Sequence, residues 1–119
     1  MIQSYRDLQV YEKSYSLSIE MYRHANTMPS EERYGLMSQI KRASTSIPLN
    51  IAEGHGKRES AAEFRRYLLM AKGSCNEMQV LLDMSRDLGY MSEADHSKLA
   101  EAYDEIARML SGLIAKWKA

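Results

Sequence analysis

Cysteine, proline, valine and net charge are all scarce in this chain. A single cysteine, Cys75, excludes an internal disulfide and suits a reducing compartment. Valine occurs only at positions 10 and 80, which leaves a β-sheet without its usual branched material. Two prolines and six glycines leave long stretches free to be helical. No apolar run approaches the roughly 20 residues of a membrane span, or a signal-peptide core. The sequence therefore predicts a cytoplasmic protein that is not exported and makes no membrane contact. Sixteen Lys and Arg balance sixteen Asp and Glu, which argues against indiscriminate binding of polyanions through bulk charge.

What is present is helical material in 119 residues, enough for one domain over 1–119 with a modest core. The organising stretch runs from Ser38 to Gly54. Ile40, Ala43, Ile47 and Ile51 recur at spacings of three and four, which marks one buried helix face. Pro48 interrupts that helix, where a missing N–H and a clash with the carbonyl four residues back predict a kink costing about 3 kcal/mol. Gly54 is placed to end the helix in the left-handed conformation. Asn50, one residue off the stripe, is expected to bond to another helix.

Four helices follow from the pattern, at about 8–26, 31–53, 61–88 and 93–117. In the first, Leu8, Tyr11, Tyr15, Ile19 and Tyr22 form a stripe that Val10, Leu17 and Met21 widen; Asp7 is its candidate N-cap, with Ser4 as the competitor. Thr27–Ser30 is a short link, with Ser30 capping the second helix. Ser60 with Glu63 and Ser92 with Asp95 start the third and fourth. The third carries Phe64, Leu68, Ala71, Cys75, Met78, Leu82 and Ser85 at alternating spacings of four and three, the seam of nearly antiparallel helices. Gly73 and Ser74 lower the bulk there, as if to admit a neighbouring helix. Gly89 ends it. The fourth repeats Leu99, Tyr103, Ile106, Leu110, Leu113 and Trp117. Short links imply an all-α, up-down-up-down antiparallel four-helix bundle.

Catalytic groupings are poor. Glu20, Glu53, Glu77 and Glu105 sit on four helices, but a di-iron bundle also needs two Glu-x-x-His motifs, and Glu93–His96 is the single instance. No metal, no cofactor and no enzymatic activity are expected. Cys75 fits the buried seam better than a nucleophile's place. His24 reads as a solvated cation at a helix end. Gly54-x-Gly56 lacks a Walker lysine and a preceding strand. Glu77, beside the third stripe, is placed either to join Asn50 and Glu53 in a polar network between helices or to lie in solvent.

The positive signal is cationic. From Arg33 to Lys72 eight Lys and Arg stand against three acids, a net +5, while Asp83 to Glu105 carries a net −5. Solvated helix faces would explain the same asymmetry. Lys41, Arg42, Lys57, Arg58, Arg65, Arg66 and Lys72 are the candidate phosphate contacts, and His55 shares their loop. The tyrosine face of the first helix, with Tyr11, Tyr15 and Tyr22, is the candidate surface for self-assembly, where basic and acidic segments of neighbouring copies would meet.

Tyr5-Arg6-Asp7-Leu8-x-Val10-Tyr11-x-Lys13, Glu32-x-Tyr34-Gly35-Leu36-x-Ser38-Gln39-Ile40-x-Arg42-Ala43, Ser46-Ile47-Pro48-x-Asn50-Ile51-Ala52-Glu53-Gly54, Glu63-Phe64-x-Arg66-Tyr67-Leu68 and Asp87-Leu88-Gly89-Tyr90 together resemble the four-helix-bundle proteins encoded in intervening sequences of bacterial 23S rRNA genes. A related branch comprises the accessory variability proteins of diversity-generating retroelements. The resemblance implies an up-down bundle that assembles into a homopentamer and binds RNA, DNA or a reverse transcriptase. It brings no catalytic residues with it. The chain is neutral where the retroelement branch is strongly basic.

Overall fold

Ser60 opens the longest helix by accepting a hydrogen bond from the Glu63 amide at 3.2 Å. That helix, α3, is one of four in the computed structural model, which describes residues 3–117; the others are α1 (Gln9–Ala25), α2 (Leu36–Gly56) and α4 (Glu93–Lys116), with α3 spanning Ala61–Asp87. At about 1.5 Å per residue α3 is about 40 Å long, close to the 44 Å long axis of the molecule. Ser92 caps α4 the same way, accepting from the Asp95 amide at 3.1 Å. Gly89 closes α3 with φ +83°, the left-handed turn that glycine adopts freely. The Tyr90 amide then reaches Ser85 O at 2.8 Å and the Gly89 amide reaches Arg86 O at 3.0 Å, which satisfies the carbonyls at the helix end.

The first two helices start later than the sequence indicates. Asp7 does not cap α1: its carboxylate turns back to accept from the Gln3 and Ser4 amides at 2.9 and 3.1 Å, fixing a 3₁₀ turn at Tyr5–Asp7. Leu8 therefore stands at the α1 cap with no side-chain bond. Ser30 does not cap α2 either. It begins a second 3₁₀ turn, Ser30–Glu32, and α2 begins after Gly35, where the Glu32 carboxylate accepts from the Leu36 amide at 3.2 Å.

Gly54 does not end α2. The helix runs on to Gly56, and it passes unbroken through the buried Pro48. The glycine serves contact instead of a turn: a Cβ at Gly54 would sit 2.7 Å from Tyr67 Cβ and 3.1 Å from Phe64 Cδ1 on α3. Gly73 has the opposite surroundings, with nothing within 4 Å of its Cβ position, so no neighbouring helix approaches it within the chain.

Each helix packs on the next in sequence, and α1 meets α4 over much less surface. Ser46 faces Ser74 and Gly54 faces Tyr67; Gln79 faces Ala100 and Asp83 faces His96; Lys13 faces Glu105 and Glu20 faces Lys98: in each of these three helix pairs residue numbers fall on one helix as they rise on its neighbour. The expected stripes of α2, α3 and α4 form the core, with Ile40, Ile47, Ile51, Leu68, Met78, Leu82, Tyr103, Ile106 and Leu110 all buried. Burying each such side chain contributes about 1.5–3 kcal/mol. The α1 stripe is displaced. Val10, Ser14, Leu17, Ser18, Met21 and Ala25 face inward, and Tyr15, Ile19 and Tyr22 remain exposed. Two buried serines bring α1 close to the core, so the smaller residues take the interior and the tyrosines the flank.

The polar network also differs from the expected one. Asn50 Nδ2 donates within its own helix, to Ser46 O at 2.8 Å and Ser46 Oγ at 3.0 Å. Ser46 Oγ lies 2.9 Å from Ser74 Oγ and carries the link to α3. Glu53 and Glu77 are exposed, and neither bonds Asn50. The helix register sets Ser74, one turn earlier than Glu77, opposite Ser46.

Candidate functional site

The end of α2 and the start of α3 bring Lys57, Arg58, Arg65 and Arg66 to one end of the bundle. Tyr67 gathers two of these cations. Lys57 Nζ donates to its hydroxyl at 2.9 Å and lies 4.8 Å from its ring centroid, while the Arg66 guanidinium lies 4.6 Å from the same centroid. Cations over a tyrosine face are attracted by the ring quadrupole. The hydrogen bond to Tyr67 holds the Lys57 ammonium above its ordinary pKa. Arg66 Nε also donates to Glu63 at 2.9 Å, and that bond holds the Glu63 carboxyl below its usual range. Arg65 Nε is buried with no hydrogen-bond partner among the described residues.

The remaining candidate cations are dispersed. Lys72 is seven residues beyond Arg65, about 10 Å along α3. Lys41 and Arg42 lie about 22–24 Å from Lys57 along α2. Lys41 is occupied at the α1 side, donating to Asn26 Oδ1 at 2.7 Å and lying 5.2 Å from the Tyr22 ring centroid. The seven cations thus form a compact group of four at one end and a trail along the α2–α3 hairpin.

Beside that compact group is a cavity of about 470 Å³ lined by Leu8, His55, Arg58, Phe64, Leu113, Lys116 and Trp117. It exists because α2 continues past Gly54 and carries His55 inward, to 5% exposure. Arg58 Nη1 donates to His55 O at 2.9 Å and lies 3.4 Å from His55 Nδ1. Burial, then the Arg58 charge, push the imidazole pKa down. Phe64 packs edge-on against Trp117 with centroids 4.8 Å apart. Sequence spacing marked His55 and Arg58 as basic loop residues but could not reveal this cavity, whose other walls come from α3, from the end of α4 and from the start of α1.

A second hollow, of about 300 Å³, runs between α1 and α2. Tyr11, Tyr15 and Tyr22 line it with Tyr5, Ile19, Pro48 and Leu49. Tyr11 meets Tyr5 edge-on at 4.9 Å and stacks on Tyr15 at 6.0 Å between centroids.

Groups with catalytic potential are otherwise engaged. Burial pushes the Cys75 thiol up to about 12, far from a nucleophile's range. His96 bonds Asp83 at 2.8 Å and Glu93 lies 3.5 Å from Arg86, so the Glu-x-x-His spacing serves contacts between α3 and α4. Glu20 and Glu105 pair with Lys98 and Lys13 on the surface. Among the described residues no three His, Cys, Asp or Glu are grouped to hold a metal ion, and no helix is long and apolar enough to cross a membrane.

The fold defines the class first: an all-α bundle of four helices around a single core. Within that class, the chain belongs to the 23S rRNA-intervening sequence protein family, whose sequence model matches residues 6–112. The resemblance to the 23S rRNA intervening-sequence family read from the motifs is thereby borne out. A crystal structure described as a protein with unknown function from the S23 ribosomal protein family of Bacteroides thetaiotaomicron VPI-5482 superposes with a TM-score of 0.80 at 24% identity, covering 88% of this chain and 97% of that one. That likeness carries the fold. A search of curated proteins finds no match.

Proposed function

We propose that the chain is a non-enzymatic, self-assembling bundle, a homopentamer, that holds RNA or DNA against its basic α2–α3 end, alone or together with a nucleic-acid enzyme such as a reverse transcriptase. One observation carries the reading. Of the seven candidate cations, Arg66 alone has a carboxylate within 4.0 Å among the described residues. By contrast Arg86, Lys98 and Arg108, in and beside the acidic segment, are all paired. Cations with no carboxylate partner keep their charge for phosphates even where, as at Lys41, Lys57 and Arg58, neutral groups hold them, and such binding is local and sensitive to salt. Assembly is supported by apolar surface left over on two sides. The tyrosine hollow is one, and the outer face of α3, with Leu69, Met70, Val80, Met84 and Leu88 exposed, is the other.

The test is fluorescence anisotropy of labelled RNA and DNA oligonucleotides across a salt series. Affinity is expected to fall linearly on a logarithmic salt scale, and to weaken when Arg58, Arg65 and Arg66 are replaced together by glutamine. No binding at low salt, or binding indifferent to those replacements, leaves the alternative: a protein-interaction scaffold whose cations serve subunit contacts. The engagement of Lys57 and Arg66 with Tyr67 favours that second reading.

A further inference from the structure

We infer that the cavity between His55 and Trp117 is a site for one nucleotide unit, its base against the Trp117 indole and its phosphate on Arg58 and Lys116. This deepens the proposed nucleic-acid reading and rests on it. The cavity, of about 470 Å³, lies within the usual range of ligand sites, roughly 300–1,000 Å³. Its walls supply the two chemistries that a nucleotide presents. Phe64, Leu8, Leu113 and the half-buried indole of Trp117 are apolar or aromatic, and any base can stack on such a face. Arg58 and Lys116 are exposed cations on its lining, one from the middle of the sequence and one from the end of α4.

His55 gives the third element. It is a polar side chain more than nine-tenths buried. Arg58 Nη1, which can only donate, lies 3.4 Å from Nδ1, so Nδ1 is the acceptor nitrogen and Nε2 carries the proton. Nε2 has no hydrogen-bond partner among the described residues, and the ring lines the cavity. That nitrogen is not sealed in the interior but open to the cavity, where a phosphate oxygen or base carbonyl can accept from it. The Asp7 carboxylate, held at Oδ2 by the Gln3 and Ser4 amides, keeps its negative charge near His55 but stands outside the lining, whose charged groups are Arg58 and Lys116. Lys57 directly precedes Arg58 of the lining, so a strand crossing the basic end can lower one base into the cavity.

Trp117 is the chain's single tryptophan, which makes its emission a specific probe. Purified protein is titrated with 5′-mononucleotides, with single-stranded oligonucleotides and with inorganic phosphate. Saturable quenching by oligonucleotides is expected, at least tenfold weaker in Arg58→Gln and His55→Gln, with helical circular dichroism retained; tenfold is the effect of losing one charge-assisted hydrogen bond. Quenching by mononucleotides as well shows that a free nucleotide suffices, and quenching by oligonucleotides alone places the unit within a strand; both support the site. Unchanged emission while anisotropy still reports oligonucleotide binding overturns the site and spares the broader reading. An equal response to phosphate alone, or quenching indifferent to both variants, also overturns it. Absence of both signals fails both readings.

Discussion

Gly54 on α2 lies so close to Tyr67 on α3 that a side-chain carbon added to the glycine would stand 2.7 Å from the tyrosine Cβ. The contact sits directly beneath the cations that surround the Tyr67 ring. It therefore sets both the spacing of the α2–α3 hairpin and the platform on which Lys57 and Arg66 rest. Gly54→Ala must move one helix, and overpacking of this kind typically costs about 1–3 kcal/mol. The better helix propensity of alanine, about 1 kcal/mol, offsets part of that. Urea unfolding is expected to show a net loss, with reduced oligonucleotide affinity as its companion.

The other helix glycines give the contrast. Gly73→Ala meets nothing within 4 Å, so the isolated chain should gain about 0.5–1 kcal/mol. Gly89→Ala places a side chain at φ +83° and should cost about 1–2 kcal/mol. A urea series on the three variants checks the order: Gly73→Ala above the parent, Gly54→Ala and Gly89→Ala below it.

Replacing Tyr15 with glutamate, or Leu49 with glutamate, puts a charge on the wall of the α1–α2 hollow without touching the core, since both side chains are exposed. Light scattering is expected to show the parent as a pentamer and both variants as smaller species with unchanged helical content. A parent that is monomeric at micromolar concentration removes the assembly proposal.

Buried groups shape the response to pH at both ends of the range. In the folded protein burial raises the Cys75 thiol from 9.0 to about 12. Between those values the unfolded chain loses a proton that the folded chain keeps, so stability is intact below about pH 9 and falls as pH rises. Cys75→Ala should flatten that alkaline slope, at a neutral-pH cost from the cavity. His55 works at the acid side. Its pKa is lowered, so below 6.5 the unfolded chain takes up a proton that the folded chain refuses, and stability falls as pH drops. Burial lowers His24 in the same direction. Urea midpoints measured from pH 5 to pH 10 should fall at both ends, and His55→Gln should reduce the acid-side fall.

The helices were legible in the sequence because their core stripes on α2, α3 and α4 keep one period over many turns, and because Ser60, Ser92 and Gly89 carry their caps in their own chemistry. Gly54 misled for a physical reason: glycine serves both turns and close approach, and only the position of Tyr67, thirteen residues on in the hairpin, decides between them. The α1 stripe misled because tyrosine counts as apolar in a periodicity, whereas Ser14 and Ser18, which do face inward, count as polar. The cations were identifiable one by one, yet their grouping at one end depends on where α2 stops. The cavity at Trp117 was not legible at all, since it joins residues more than a hundred positions apart.

The narrow seam between α1 and α4 has a consequence for how the molecule breathes. It is bridged by Lys13–Glu105 and Glu20–Lys98, pairs lying in solvent and weakened by salt. Closing it also joins the segments farthest apart along the chain, the most demanding closure entropically. Amide hydrogens of the α2–α3 hairpin should therefore outlast those of α1 and α4 in exchange experiments. The Trp117 cavity, walled by both outer helices, would then open and shut with that seam, and raising the ionic strength would hasten its traffic even as it weakens the pull on phosphate.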